Sequence, residues 1–310
     1  MKLFGREYDD KTKHKIYYIF GIKISKKDKT ANLKTENAYL KNAINQIGVD
    51  KLPAATGELR QWQLELLELL KTFDKICREN DVQYWLDFGT LLGALRHKGF
   101  IPWDDDIDTS MLKSDLDKIL PILEEYFKDK DFIIRKRAKS CNNFQIRIRH
   151  KYYNLGLDIF PVHEYPEGDF TPEAMKDITD KIIYARKMFD KKYRHKKYSD
   201  KDIAKVQEDI IKIQENIIIP SNKKVPEHPI LFHGIEFPYE EGFYVMPYNM
   251  IFPLKEKEFE GYKFLIPNNA EEYLSNLWQN WQKLPKGFLS GHHEHYFRNY
   301  KDNVCNKEIK

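Results

Sequence analysis

Four carboxylates lie within the seven residues Pro102-Trp103-Asp104-Asp105-Asp106-Ile107-Asp108. On an extended strand side chains alternate, so Asp104, Asp106 and Asp108 are expected on one face and Asp105 and Ile107 on the other. Like charges so close repel. Such a cluster calls for solvent, Arg or Lys partners, or a hard divalent cation bound through carboxylate oxygens. Aromatic and apolar neighbours, Phe100, Trp103, Met111 and Leu112, anchor the run in a core and favour the cation. A further acid, Asp158, sits in the hydrophobic run Leu157-Asp158-Ile159-Phe160, where it is costly without a partner. Two arrangements satisfy it. Beside the strand of Asp106 and Asp108 it completes a three-carboxylate site for one or two Mg2+ ions, with Mn2+ as the substitute; against Arg147 or Arg149 it forms a buried salt bridge. The first suits in-line displacement at phosphorus, because a metal there gathers the attacking and leaving oxygens.

The segment Phe88-Gly89-Thr90-Leu91-Leu92-Gly93-Ala94-Leu95-Arg96 reads as a strand end, a glycine turn and a helix start. Backbone N–H groups at such a start cradle a phosphate without a side chain, which makes Gly89 and Thr90 candidate donor-binding residues; a plain helix cap is the alternative. Arg96 and His97 close the helix. Arg96 either reaches the same phosphates or neutralises Asp104. Gln145, Arg147 and Arg149 form the polar face of an alternating strand that leads into Asp158, which makes them candidates for donor contact.

Around these groups the pattern predicts their scaffold. Leu59, Trp62, Leu66, Leu69, Leu70, Phe73 and Ile76 recur at three- and four-residue steps and predict an amphipathic helix between Thr56 and Asn80. A strand is expected from Val82 to Phe88, then a helix from Leu91 to His97 with Thr90 or Gly89 as its N-cap. The acidic run leads into a strand ending near Leu112, and Ser114 to Phe127 predicts a second amphipathic helix. Phe132 to Ile134, Phe144 to Arg149 and Leu155 to Phe160 read as strands, the last two as a hairpin turning at Lys151 to Asn154. Two helices joined at Tyr198-Ser199 are expected over about 171–219, and short strands after Pro220.

The chain has 310 residues, 41% hydrophobic and 14% aromatic, enough to bury a large core in one or two domains. Its 52 Lys and Arg against 48 Asp and Glu leave a net charge of +4, which disfavours a dedicated nucleic-acid binder. Cys77, Cys141 and Cys305 are far apart, which excludes a multi-cysteine zinc site and fits a reducing cytoplasm. No stretch approaches the roughly 18 apolar residues of a membrane span, and the start lacks a secretion signal. Residues 1–50 read as a lysine-rich leader with a β-like segment from Lys15 to Ile24. It either packs by its aromatic face or touches an anionic inner-membrane surface. The expected organisation is this leader followed by one core over 51–310 with a helical insertion at about 171–219.

Tyr84 to Asp108, with Asp87-Phe88-Gly89-Thr90-Leu91-Leu92-Gly93 and Phe100-Ile101-Pro102-Trp103-Asp104-Asp105-Asp106-Ile107-Asp108, resembles the LicD family of phosphotransferases, which includes bacterial phosphocholine transferases and fukutin-like enzymes. The resemblance extends through the helix at Leu59, Asp158-Ile159-Phe160-Pro161, Phe252-Pro253-Leu254, Phe259-Glu260-Gly261 and Ile266-Pro267, roughly Glu58 to Pro285. It implies an α+β, nucleotidyltransferase-like mixed sheet flanked by helices, and Mg2+-dependent transfer of a phospho-alcohol from a CDP-alcohol, CDP-choline first, to a glycan hydroxyl. The glycan would be lipopolysaccharide, capsule or teichoic acid. Carried onto this chain, Asp106 and Asp108 are the metal pair, Asp158 the third carboxylate, Asp104 a further ligand or supporting acid, and Gly89 and Thr90 the phosphate loop. Where many members carry Tyr-Gly before the closing Pro, this sequence has Leu277-Trp278.

Two rivals use the same acids: a nucleotide-sugar glycosyltransferase with an Asp-x-Asp metal site, and a non-catalytic, divalent-ion-dependent binding protein. Gly291-His292-His293-Glu294-His295 offers transition-metal ligands near a polar tail, and Lys191 to Lys197 offers a basic face for solvent or a phosphate-bearing acceptor.

Overall fold

The computed structural model describes residues 48–136, 146–153, 155–166, 169–193, 200–219, 225–235, 245–278 and 280–283, together with three strands near the start. Those strands, β1 (Phe4–Asp9), β2 (His14–Ile19) and β3 (Ile22–Lys26), form an antiparallel sheet in the order β1-β2-β3. The expected β-like segment thus supplies two strands of three. The lysine side chains of this leader, the junction at Tyr198-Ser199, Gln145, Cys141, Cys305 and the 291–295 histidine cluster lie outside the described residues.

Helix α1 (Glu58–Glu79) turns Leu66, Leu69, Leu70, Phe73, Ile76 and Cys77 inward. Each leucine or phenylalanine so buried contributes about 1.5–3 kcal/mol by leaving water. The chain then forms β4, only Trp85–Leu86, and passes at once into α2 (Phe88–Arg96). The expected strand from Val82 to Phe88 is therefore cut to two residues. Asp87 ends it by capping the helix: its backbone is extended and its carboxylate accepts the N–H of Phe88 at 2.7 Å. The cap is Asp87, not Thr90 or Gly89, so both of those residues sit inside the first turn.

Strand β5 (Ile107–Leu112) and α3 (Lys113–Phe127) follow, then the antiparallel pair β6 (Phe132–Lys136) and β7 (Ile146–His150). The ten-residue strand β8 (Gly156–Tyr165) is the spine of the main sheet. It runs parallel to β5 along one edge, from Ile107 opposite Leu157 to Leu112 opposite Val162. Its other edge is shared: β7 pairs antiparallel with the first half and β9 (Ile230–His233) with the second. β4 continues the sheet beyond β5, and β10 (Val245–Pro247) continues it beyond β9, giving seven strands of mixed direction. Mixed strands flanked by helices make this the α+β fold expected.

Helices α4 (Pro172–Tyr193) and α5 (Asp200–Ile217) form a second cluster with Phe232 and Ile230 of β9, burying Ile178, Ile182, Phe189 and Ile210. Short α6 (Tyr248–Ile251), the hairpin β11 (Lys255–Phe259) and β12 (Tyr262–Ile266), and α7 (Ala270–Leu277) complete the described chain. The hairpin turns in two residues, Glu260 and Gly261, both with positive φ, as a tight turn matched to strand twist requires. That turn sets Glu260 against the loop before the aspartates. Its carboxylate accepts from both Arg60 terminal nitrogens, at 2.9 and 2.6 Å, and from the N–H of Phe100 at 3.1 Å. Among the described residues no helix is long and apolar enough to cross a membrane.

Candidate active site

β5 and β8 bring together two acids that lie 50 residues apart in the chain. Parallel pairing sets Asp108 directly beside Asp158, and neighbours in register point to one face of a sheet. Asp106 joins them from the loop before β5: ligand oxygens of Asp106, Asp108 and Asp158 all lie within 4.8 Å of one another. Asp104, Asp105 and Asp106 form a second group at the same spacing. The expected single-faced strand from Asp104 to Asp108 does not form, because the strand begins at Ile107. Asp104 to Asp106 instead curl as a loop, and Asp106 belongs to both groups.

Two polar contacts hold that loop. Gln63, fully buried on α1, donates from its amide nitrogen to the carbonyls of Ile101 at 3.2 Å and Asp104 at 2.9 Å. Sequence reading passed over Gln63, although a polar residue on the apolar stripe of an amphipathic helix is a legible signal. Gly89 explains the closeness on the other side. A Cβ there would lie 3.1 Å from Asp104 Oδ2, close enough that this carboxylate would have to shift by a few tenths of an ångström, and in ordinary contact with Asp108 Oδ2 at 3.5 Å.

The first turn of α2 is directed at Asp108. The Gly89 N–H donates to Asp108 Oδ2 at 3.3 Å, and the Asp108 N–H donates to the Thr90 hydroxyl at 2.9 Å. N–H groups of a first helical turn have no partner within their own helix, and two of them here meet carboxylates, that of Phe88 with Asp87 and that of Gly89 with Asp108. Phe88 enters the helix with φ +40, a conformation a bulky residue adopts at a cost of about 1–3 kcal/mol. Its N–H is clamped by Asp87, and its ring packs edge-on against Phe160 at 5.0 Å, with Leu277 and Trp278 beside the pair.

On the far side of Asp158, Arg147 stands opposite in the β7–β8 register, and its Nε lies 3.0 Å from Asp158 Oδ1. The two arrangements open for Asp158 in the sequence therefore coexist: it sits beside Asp106 and Asp108 and is paired with Arg147. Gly156 allows this, since a Cβ there would lie 2.7 Å from Arg147 Nε. Burial raises the carboxyl of Asp158, and Arg147 and Arg149 oppose that rise. Asp104 and Asp108 are pushed well above the usual carboxylate range, by burial first and then by Asp106 and their other acidic neighbours. Arg96 places its hydrogen bonds outside this cluster, donating to the Trp281 carbonyl at 2.7 Å and to His97 Nε2 at 3.0 Å, while its charge still acts on Asp104. Burial lowers Arg96 to about 10, with Asp104 opposing. Burial and Arg96 lower His97 to about 4, so the imidazole is neutral.

Asp87, unassigned in the sequence reading, is the most enclosed acid of the region. Burial pushes it up to about 6 from 3.8 against three hydrogen-bond donors. A raised acid binds its proton more tightly folded than unfolded, so its stabilising contribution is complete below about 4 and is lost as pH rises through about 6. Asp104, Asp108 and Asp158 shift in the same direction. The chelator-treated protein is therefore expected to melt at a higher temperature near pH 5.5 than near pH 7.5 in scanning calorimetry; a flat or opposite profile would contradict these environments.

The donor set is all carboxylate oxygen, with no thiolate or imidazole in either group, which suits a hard divalent cation such as Mg2+ or Mn2+. Residues 81–197 match the family model described as LicD/FKTN/FKRP, nucleotidyltransferase domain. Over 262 residues, 73% of this chain and 92% of the relative, the sequence is 26% identical to the lipopolysaccharide cholinephosphotransferase LicD of Haemophilus influenzae. Over 112 residues, 34% of this chain, it is 34% identical to an uncharacterized protein, RP689, of Rickettsia prowazekii, and that match spans only 42% of the relative's length. A 35-residue stretch, 11% of this chain and 7% of the relative, is 51% identical to the ribitol 5-phosphate transferase FKRP of Homo sapiens.

Proposed function

We propose, from the match of residues 81–197 to the LicD/FKTN/FKRP nucleotidyltransferase domain, that this chain transfers a phospho-alcohol from a CDP-alcohol to a glycan hydroxyl. CDP-choline is the first donor to test, because the relative matched over most of both chains is a cholinephosphotransferase acting on lipopolysaccharide. The observation that carries the reading is the register of Asp108 beside Asp158, with Asp106 in reach of both.

Asp106, Asp108 and Asp158 would hold Mg2+, or Mn2+ in its place, with Asp104 a further or supporting ligand. The ion supplies charge neutralisation at the transferring phosphoryl group. The chain's own residues do the rest. The N–H of Gly89 and the hydroxyl of Thr90 fix Asp108, so its carboxylate needs no reorganisation as charge develops. Arg147 and Arg149 bring positive charge to the polar face of β7 beside Asp158, where the phosphates of a donor would lie. The glycan hydroxyl attacks the phosphorus that bears the alcohol, its bond to the bridging oxygen breaks, and CMP leaves. Asp158, whose ionised form Arg147 favours at 3.0 Å, accepts the hydroxyl proton. Arg96 is assigned no donor contact, since its hydrogen bonds run to Trp281 and His97. Residues 51–310 would work as one catalytic core in the cytoplasm, with α4 and α5 as a helical insertion and the leader as a peripheral membrane contact.

Release of CMP across CDP-choline, CDP-glycerol and CDP-ribitol, with Mg2+ and a lipopolysaccharide, capsule or teichoic acid acceptor, tests the proposal. One of these donors is expected to yield CMP only when acceptor is present. Thermal stabilisation by UDP-sugars alone would point to a glycosyltransferase, and stabilisation by a CDP-alcohol without CMP release to a binding protein.

A further inference from the structure

Asp87 has no part in the proposed reaction, yet partners from several elements hold its side chain. The side chain is fully buried. Its two oxygens accept from the N–H of Phe88 at 2.7 Å, from the hydroxyl of Tyr273 at 2.8 and 3.0 Å, and from the hydroxyl of Ser110. The buried imidazole of His233 on β9 lies 3.9 Å from Oδ2. These partners come from α2, α7, β5 and β9, elements far apart in sequence. The main chain at the same residue is tied to the acidic strand, because the Asp87 N–H donates to the Asp108 carbonyl at 3.0 Å.

The geometry has a direction. Ser110 stands two residues after Asp108 on β5, so both side chains share one face. Phe88, held at a φ that its ring disfavours, is the residue from which α2 departs, and Gly89 and Thr90, the residues that fasten Asp108, are the next two. We infer that Asp87 is a positioning residue for the three-carboxylate centre: it locks the entry of α2 onto β5 and so sets the Asp108 carboxylate, while touching neither ion nor donor. The inference rests on the proposed reading of Asp106, Asp108 and Asp158 as a cation site. The chemistry explains why the residue is an acid. Three donors converge on one side chain, and a carboxylate offers acceptor positions on both oxygens, whereas an amide of the same shape offers one oxygen and presents its N–H2 to a hydroxyl.

Asp87→Asn and Tyr273→Phe separate this role from a structural one. Both keep the buried volume, and the Ser110 and Tyr273 hydroxyls can turn to accept from the new amide, so Asp87→Asn is expected to fold. Mn2+ binding is measured by titration calorimetry on the folded proteins, and kcat and KM are measured with the active CDP-alcohol. Asp87→Asn is expected to weaken Mn2+ binding about 10- to 100-fold and to lower kcat by a similar factor, the usual range for a residue that orients a metal ligand, with KM for the donor nearly unchanged. Tyr273→Phe is expected to shift both in the same direction by less, and the double variant to lose less than the product of the single losses, because the two groups act as one unit. Wild-type affinity and kcat in a folded Asp87→Asn overturn the positioning role alone. Absence of Mn2+ binding by the wild-type protein overturns the cation site and this inference with it. If Asp87→Asn does not fold, Tyr273→Phe decides: wild-type Mn2+ affinity and kcat in that variant overturn the role.

Discussion

Asp106→Ala and Asp108→Ala are each expected to cut CMP release by at least about 10²–10³-fold, the scale on which a pre-set electrostatic group acts on a transition state, while the protein stays folded. Folding survives for an electrostatic reason. Asp108 is pushed well above the usual carboxylate range by burial and by Asp106, Asp158 and Asp104, so the unliganded site holds charges that repel. Removing one relieves that repulsion, and the melting temperature in chelator is expected to stay level or rise. The increase in melting temperature on adding Mg2+ or Mn2+ is expected to disappear in the same variants, because an ion that binds only the native state stabilises it through its affinity. Activity assays and paired melts with chelator and with metal read both effects. Near-normal turnover in either variant would remove these residues from the reaction, and a melting temperature far below wild type would show that they serve the fold. Asp108→Asn refines the test, since it removes the charge yet keeps an oxygen for the Gly89 N–H.

Gly93→Ala is the second large effect, and it acts on the scaffold. Gly93 lies in the middle of α2, where alanine is intrinsically better in a helix by about 1 kcal/mol. Packing reverses that preference. An added Cβ would lie 2.5 Å from the carbonyl oxygen of Gly99 and 3.4 Å from the N of Ile101, and both are backbone atoms that no rotamer change can move aside. Forcing α2 off this loop costs about 1–3 kcal/mol by the usual scale of overpacking, and the net loss is expected to lower the melting temperature by several degrees. The site should respond as well. The 2.8 Å bond from the His97 N–H to the Gly93 carbonyl and the packing on Gly99 fix the far end of the helix whose first turn carries Gly89 and Thr90. A helix displaced there moves the contacts to Asp108, so the concentration of Mg2+ needed for half-maximal CMP release is expected to rise. A variant as stable and as active as wild type would show that the close packing of α2 on the aspartate loop has no mechanical role.

Asp87 and Gln63 show how much of the site local sequence could reveal. Each interrupts an apolar pattern, Asp87 in Tyr84-Trp85-Leu86-Asp87-Phe88 and Gln63 on the buried stripe of α1. That interruption marks a buried polar group in need of partners, but it does not name them. The partners of Asp87 are Ser110 and Tyr273, the second of them 186 residues away. The α2 boundary was misjudged for a related reason. Gly89-Thr90 is as good a cap by composition as Asp87, and the choice fell to the residue whose carboxylate other elements already held in place.

Local sequence laid out the acids, the alternation of β7 and the apolar stripe of α1. Residue types placed a cluster of acids at Asp104 to Asp108 and a further one at Asp158, period-2 alternation put Arg147 and Arg149 on one side of β7, and the three- and four-residue steps of Leu66, Leu70 and Phe73 made α1 an amphipathic helix. These properties depend on neighbours within a few residues, where backbone geometry alone decides which side chains share a face. Long-range packing sets the parallel pairing of β5 and β8 with Asp108 beside Asp158, the loop of Asp104 to Asp106 ahead of the strand, and the hydrogen bond from Arg96 to the Trp281 carbonyl. Parallel pairing needs a crossover whose path the local pattern does not specify. Its register is then set by burying all of β8 between two flanking edges, because a slip of one residue would turn Asp158 to the other face.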